Sequence, residues 1–152
     1  MVNKILDLES SEPAAVLIRV IVGYVFFVEG VQKYLFPDTL GIGRFIKIGI
    51  PFPHVMVNVS AGVEIICGIL LIIGLLTRLS TIPLIINISV AIISTKVTMF
   101  VSKGFWPAVH ESRLDFTMLV SLVFLLMVGS GCCSIDEILS ENSDADSKTL
   151  GG

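Results

Sequence analysis

Residues 59–78 read VSAGVEIICGILLIIGLLTR. The stretch is apolar for the length of a membrane crossing and holds one carboxylate, Glu64. It closes on Gly74-Leu75-Leu76-Thr77-Arg78, and a second apolar run follows at once. A run of about 18 or more apolar residues reads as a membrane-spanning helix. A two-residue link, Thr77-Arg78, then forces the two spans to lie antiparallel and side by side.

The rest of the chain has the same character. Of its 152 residues 54% are hydrophobic and 15% charged, and mean hydropathy is +0.93. Soluble domains are about 25% charged. The expected fold class is all-α, a four-helix transmembrane bundle, with spans at about 14–34, 55–76, 79–101 and 114–131. A polar lead (1–13) precedes the membrane domain (14–133), and an acidic tail (134–152), rich in Ser, Asp, Asn and Gly, is expected to be disordered. Ser11-Glu12-Pro13 is a good start signal for the first helix.

Formal charge is −3. The tail holds five of the thirteen acids and one of the ten bases, so the remainder carries nine bases against eight acids. No basic stripe points to nucleic acid. Asp7, Glu9 and Glu12 before the first span have the wrong sign for a cleaved signal peptide. Cys67, Cys132 and Cys133 form no CxxC pattern; packing or lipidation suits them better than redox chemistry. His54 and His110 lack helical ligand spacing, and no metal is expected.

Between the first two spans, residues 36–54 are broken by Pro37, Gly41, Gly43, Gly49, Pro51 and Pro53. They enclose GRFIKIGI, too short to span and suited to the interface or a shallow dip into the membrane. Residues 102–113, with Gly104-Phe105-Trp106-Pro107, read as a linking loop with an aromatic interfacial anchor.

Alternating spans assign every intramembrane charge to one end. With the N-terminal side as face A, the first span brings Glu29 and Lys33 to face B. The second starts at B and reaches Glu64 about 13 Å in, at 1.5 Å per residue. The third delivers Lys96 near B, and the fourth begins there with Glu111, Arg113 and Asp115. A charge in hydrocarbon costs about 2.5–3.5 kcal/mol on insertion scales, so these groups should face inward and pair. Glu29 and Lys33 are spaced for a pair on their own helix. Glu64 has no base within a turn, and its partner must be Lys33 or Lys96. Glu64 is the candidate catalytic group; Glu29, Lys33, Lys96 and Asp115 are candidate substrate-binding residues. Arg19 and Arg78 are read as structural charges. The plainer reading is that all of these only fix helix packing, with Arg19 and Lys96 snorkelling to an interface.

Three segments resemble the DoxX family of small four-span membrane proteins. They are RVIVGYVFFVEGVQKY (19–34), AGVEIICGILLIIGLLTRL (61–79) and GSGCCSID (129–136). The first matches an Arg…Gly…Gly-x-x-Lys pattern. The second matches a Glu followed by small residues and Gly-Leu-Leu-Thr-Arg, the third a closing Gly-x-Gly…Ser-Leu-Asp with Ile135 for leucine. Arg19, Glu29, Gly30, Lys33, Glu64 and Arg78 fall on recurrent family positions. Cys67, and the pair Cys132-Cys133, depart from the family pattern.

The resemblance implies a quinone- or lipid-binding component of a membrane oxidoreductase system handling thiol or oxidative stress, placed in a bacterial inner membrane. It implies a soluble or membrane redox partner and admits a homo-oligomer. No covalently bound cofactor is expected, and a quinone is the expected exchangeable one. Two other readings stand beside it: a small-molecule or lipid transporter, and a structural or assembly subunit without catalysis of its own.

Overall fold

A computed structural model describes residues 12–129 and 131. Among them are five helices: α1 (Glu12–Leu35), α2 (Ile42–Lys47), α3 (Pro53–Ile73), α4 (Thr77–Lys103) and α5 (Phe105–Val128). No strand occurs among the described residues. Stretches 14–35, 53–73 and 77–95 are long and apolar enough to cross a membrane. The fourth long helix, α5, has similar length but carries Glu111, Arg113 and Asp115 in its first half. Ser11, Cys132, Cys133 and the acidic tail lie outside the described residues.

Two pairs of helices make up the bundle. α1 packs most extensively on α3, and α4 on α5; contact between the pairs is sparser. Glycines explain the first pairing. A Cβ built on Gly23 would stand 2.7 Å from the carbonyl oxygen of Gly68, and one on Gly68 would stand 2.8 Å from that of Gly23. Seven residues along, Gly30 faces Ala61, whose carbonyl oxygen would be 2.9 Å from an added Cβ. Small residues at these points let two backbones approach to a distance no other side chain permits.

The link between α3 and α4 is built from its sequence. Gly74 takes the left-handed conformation (φ +72°). Its N–H donates to the carbonyl of Leu71, and that of Leu75 to the carbonyl of Leu70. That is a Schellman cap, which glycine adopts without steric cost. Leu76 is also left-handed (φ +51°), a strained choice for a branched residue. The chain thereby reverses in three residues and α4 begins at Thr77.

Two sequence expectations need correction. Residues 102–113 are not a loop: α4 runs to Lys103, only Gly104 (φ +89°) intervenes, and α5 starts at Phe105. Pro107 is tolerated because it is the third residue of the helix, where its amide has no partner to lose. The first connection is also more ordered than its glycines and prolines suggested. α2 folds within it and packs against α3.

The A half of the bundle is solid. Leu71, Leu84, Leu122 and Leu125 are fully buried there, and Val22 nearly so. Cys67 joins this core as an apolar residue. Arg78 reaches the end of α5, where its Nη2 donates to the carbonyl oxygens of Met127 (3.3 Å) and Val128 (3.4 Å). Those carbonyls are among the last four of a helix, which have no intrahelical partner.

Candidate functional site

The B half is hollow. A cavity of about 540 Å³ is lined by residues of α1, α2, α3, α4 and α5. Glu64 forms part of its wall and is 6% exposed. It lies eleven residues from the start of α3 at Pro53, about 16 Å along the helix axis.

Two donors from two other helices meet on this one carboxylate. Oε2 accepts from the ammonium of Lys33 on α1. Oε1 accepts from Nδ2 of Asn87 on α4, at 2.6 Å. The ion pair is shielded, the side chains being 12% exposed for Lys33 and 7% for Glu64. Charge-assisted hydrogen bonds are roughly twice as strong as neutral ones, and a buried carboxylate needs them to offset its lost hydration. Of the two partners open to Glu64 on sequence grounds, Lys33 is bonded to it. The expected Glu29–Lys33 arrangement along α1 gives way to this interhelical bond. A pair on one helix near its end is half solvated, whereas the Lys33–Glu64 pair is shielded.

Glu29, Lys33, Glu64 and Asp115 all line the cavity, as does Glu111. Lys96 lies on α4, and its side chain is outside the described ones. Arg19 is buried (3% exposed) on α1 and Arg78 is exposed at the opposite end; neither lines the cavity. The polar cavity residues that the sequence reading did not assign to the site include Asn87 and Arg44. Asn87 is an uncharged amide in an apolar run and gives no charge to pair with Glu64. Its signal is register: Glu64 and Asn87 are equally distant from the reversal at Leu75-Leu76, so an antiparallel pair sets them level. Arg44, on α2, also lines the cavity. It was visible as a base but not as part of the site, because α2 folds back over the bundle.

Chemically, the arrangement offers one buried carboxylate with two N–H donors fixed beside it, and three further carboxyl groups in the same wall. The remaining wall is mostly apolar, including Val25, Phe26, Val63, Ile88 and Met118. A pocket of about 300–1,000 Å³ with a few convergent polar groups is typical of small-molecule sites. Among the described residues no three His, Cys, Asp or Glu side chains cluster as a metal site.

Comparison with known proteins gives the lineage. The DoxX family pattern matches residues 14–97. An uncharacterized membrane protein of Mycobacterium tuberculosis is 42% identical over 139 residues, covering 88% of this chain and 85% of the relative. A Bacillus subtilis protein named "Putative oxidoreductase CatD" is 30% identical over 128 residues, covering 84% and 88%. An uncharacterized protein of Haemophilus influenzae is 34% identical over 124 residues, covering 78% and 85%. No solved structure gives a significant match. With a matched pattern over more than half its length and relatives aligned nearly end to end, the chain belongs to the DoxX family of integral membrane proteins.

Proposed function

We propose that this protein is a quinone-binding component of a membrane oxidoreductase system in the bacterial inner membrane. The observation that carries the reading is the Lys33–Glu64–Asn87 cluster in the wall of a cavity, lined by apolar and further ionisable side chains, within the membrane-spanning bundle. A quinone head needs N–H donors for a carbonyl oxygen and a group that exchanges the hydroxyl proton of the reduced form. Lys33 and Asn87 supply the donors, and Glu64 takes up or returns the proton. The cavity has the volume and the apolar wall that such a head requires.

Bound there, the quinone supplies the two-electron, two-proton chemistry. The electrons pass to or from a partner protein of the redox system. The protons move through Glu64 and through Glu29 or Asp115, which line the same cavity. The printed name of the Bacillus subtilis relative is consistent with an oxidoreductase role, and bacterial relatives are consistent with the location.

A transport path would need the cavity to communicate with face A. The fully buried leucines of the A half stand in that direction, which favours binding over passage.

Photoaffinity labelling with an azidoquinone tests the proposal. Cross-links are expected on cavity-facing residues of α3 and α4, such as Val63 and Ala91, and excess quinone should suppress them. Labelling spread over the lipid-facing surface, unaffected by competitor, would contradict it.

A further inference from the structure

The cavity wall is not uniformly closed. Every residue that α1 and α2 contribute is buried or half-buried. On α3 and α4 the situation differs. Val59 is 54% exposed, Ile86 60% and Val90 52%, yet all three line the cavity; on α5 Leu114 (54%) and Glu111 are exposed as well, but the group of three aliphatic side chains belongs to the neighbouring helices α3 and α4. A side chain that touches both the cavity and the outside marks an opening. These three lie on helices 3 and 4, in stretches within the spans, so the outside they face is the bilayer. α3 and α4 belong to different tight pairs, and the packing between them is lighter than within either pair.

Chemistry along the opening changes with depth. The inner end carries Lys33, Glu64 and Asn87; the rim carries valine and isoleucine. A ligand matching both is an uncharged polar head with an apolar tail. The charges argue the same way. Glu29, Glu64, Glu111 and Asp115 outnumber Lys33 and Arg44 around the cavity, so a small anion arriving from water would be repelled. A neutral head bearing hydroxyl or carbonyl groups meets both acceptors and donors.

We infer that the gap between α3 and α4 is a lateral portal: the quinone enters from the bilayer, and its tail rests between Val59, Ile86 and Val90 while its head reaches Glu64. The inference rests on the quinone reading and adds to it the route and the tail subsite. A tailed ligand therefore depends on the rim residues, whereas a tail-less ring does not.

The test uses the full chain in nanodiscs and two probes, a long-tailed menaquinone and menadione, which has the same ring without the tail. Binding is measured for wild type, Val59→Trp, Val90→Trp and the control Ile93→Trp, an exposed α4 position that does not line the cavity. The portal predicts that Val59→Trp and Val90→Trp weaken the tailed probe by about tenfold or more, which is about 1.4 kcal/mol. Menadione binding should stay within about twofold of wild type on that same scale, and Ile93→Trp should change neither. Equal losses for both probes, or no loss for either, would overturn the portal and leave the head site standing. Wild-type protein binding menadione but not the tailed form would do the same. Wild type binding neither probe would overturn the quinone reading itself, and the portal with it.

Discussion

The ammonium of Lys33 on α1 is bonded to Oε2 of Glu64, eleven residues inside α3. Removing one partner of a buried pair leaves an uncompensated charge, at a cost of about 3–5 kcal/mol, whereas removing both is far milder. Glu64→Gln and Lys33→Met are each expected to lower the thermal midpoint of the detergent-solubilised protein. The double variant should recover most of that loss, because Gln keeps an acceptor for Asn87. A double variant whose loss equals the sum of the two single ones would show that the pair is not coupled.

Backbone approach between α1 and α3 makes a second prediction. Gly68→Ala places a methyl against the carbonyl of Gly23 and the backbone of Phe27. Overpacking of this kind costs about 1–3 kcal/mol, and backbone cannot yield as a flexible side chain would. Gly62→Ala, on another face of α3 where an added Cβ meets open space, should be neutral or stabilising by up to about 1 kcal/mol. Folded yield by size-exclusion chromatography compares the two; equal tolerance would argue against the close approach.

Arg78 holds the end of α5 through the carbonyls of Met127 and Val128. The bonds are long and exposed, so Arg78→Gln should cost only about 0.5–1.5 kcal/mol. The effect should be local. Hydrogen exchange is expected to quicken at residues 126–129, while the amides around Glu64 keep wild-type protection.

Asn87 separates packing from binding. Asn87→Leu removes one donor to Glu64 and leaves the Lys33 bond intact. The fold should survive, while quinone affinity falls by roughly tenfold, the worth of one hydrogen bond to a charged group. Titration of wild type and variant in nanodiscs measures this, and unchanged affinity would remove Asn87 from the site.

Much of this geometry was legible in the sequence, and the reason is topological. Four alternating long helices leave Glu29, Lys33, Glu64 and Asp115 no choice but the same half of the bundle. Glu64 had to find a cation from another helix, and Lys33 was one of two available. What stayed hidden depended on contacts that hydropathy does not record. Asn87 is level with Glu64 only because the reversal at Gly74–Leu76 is so tight. α2 lies in a glycine- and proline-rich segment that reads as irregular, yet its helix packs on α3 and brings Arg44 to the cavity. The start of α5 was misread because Pro107, His110 and Glu111 resemble loop residues. One glycine suffices to separate the helices, and the proline falls in the first turn, where helices accept it.

The central claim is that the cavity beside Glu64 holds a quinone. Mass spectrometry of lipids that copurify in mild detergent tests it most directly, with wild type, Glu64→Gln and Asn87→Leu compared at equal folded yield. The account predicts a quinone in the wild-type preparation, at a molar ratio above that of the surrounding lipid extract, and its depletion in both variants. Quinone present in the variants at the wild-type ratio, or in none of the preparations above the lipid background, would contradict it.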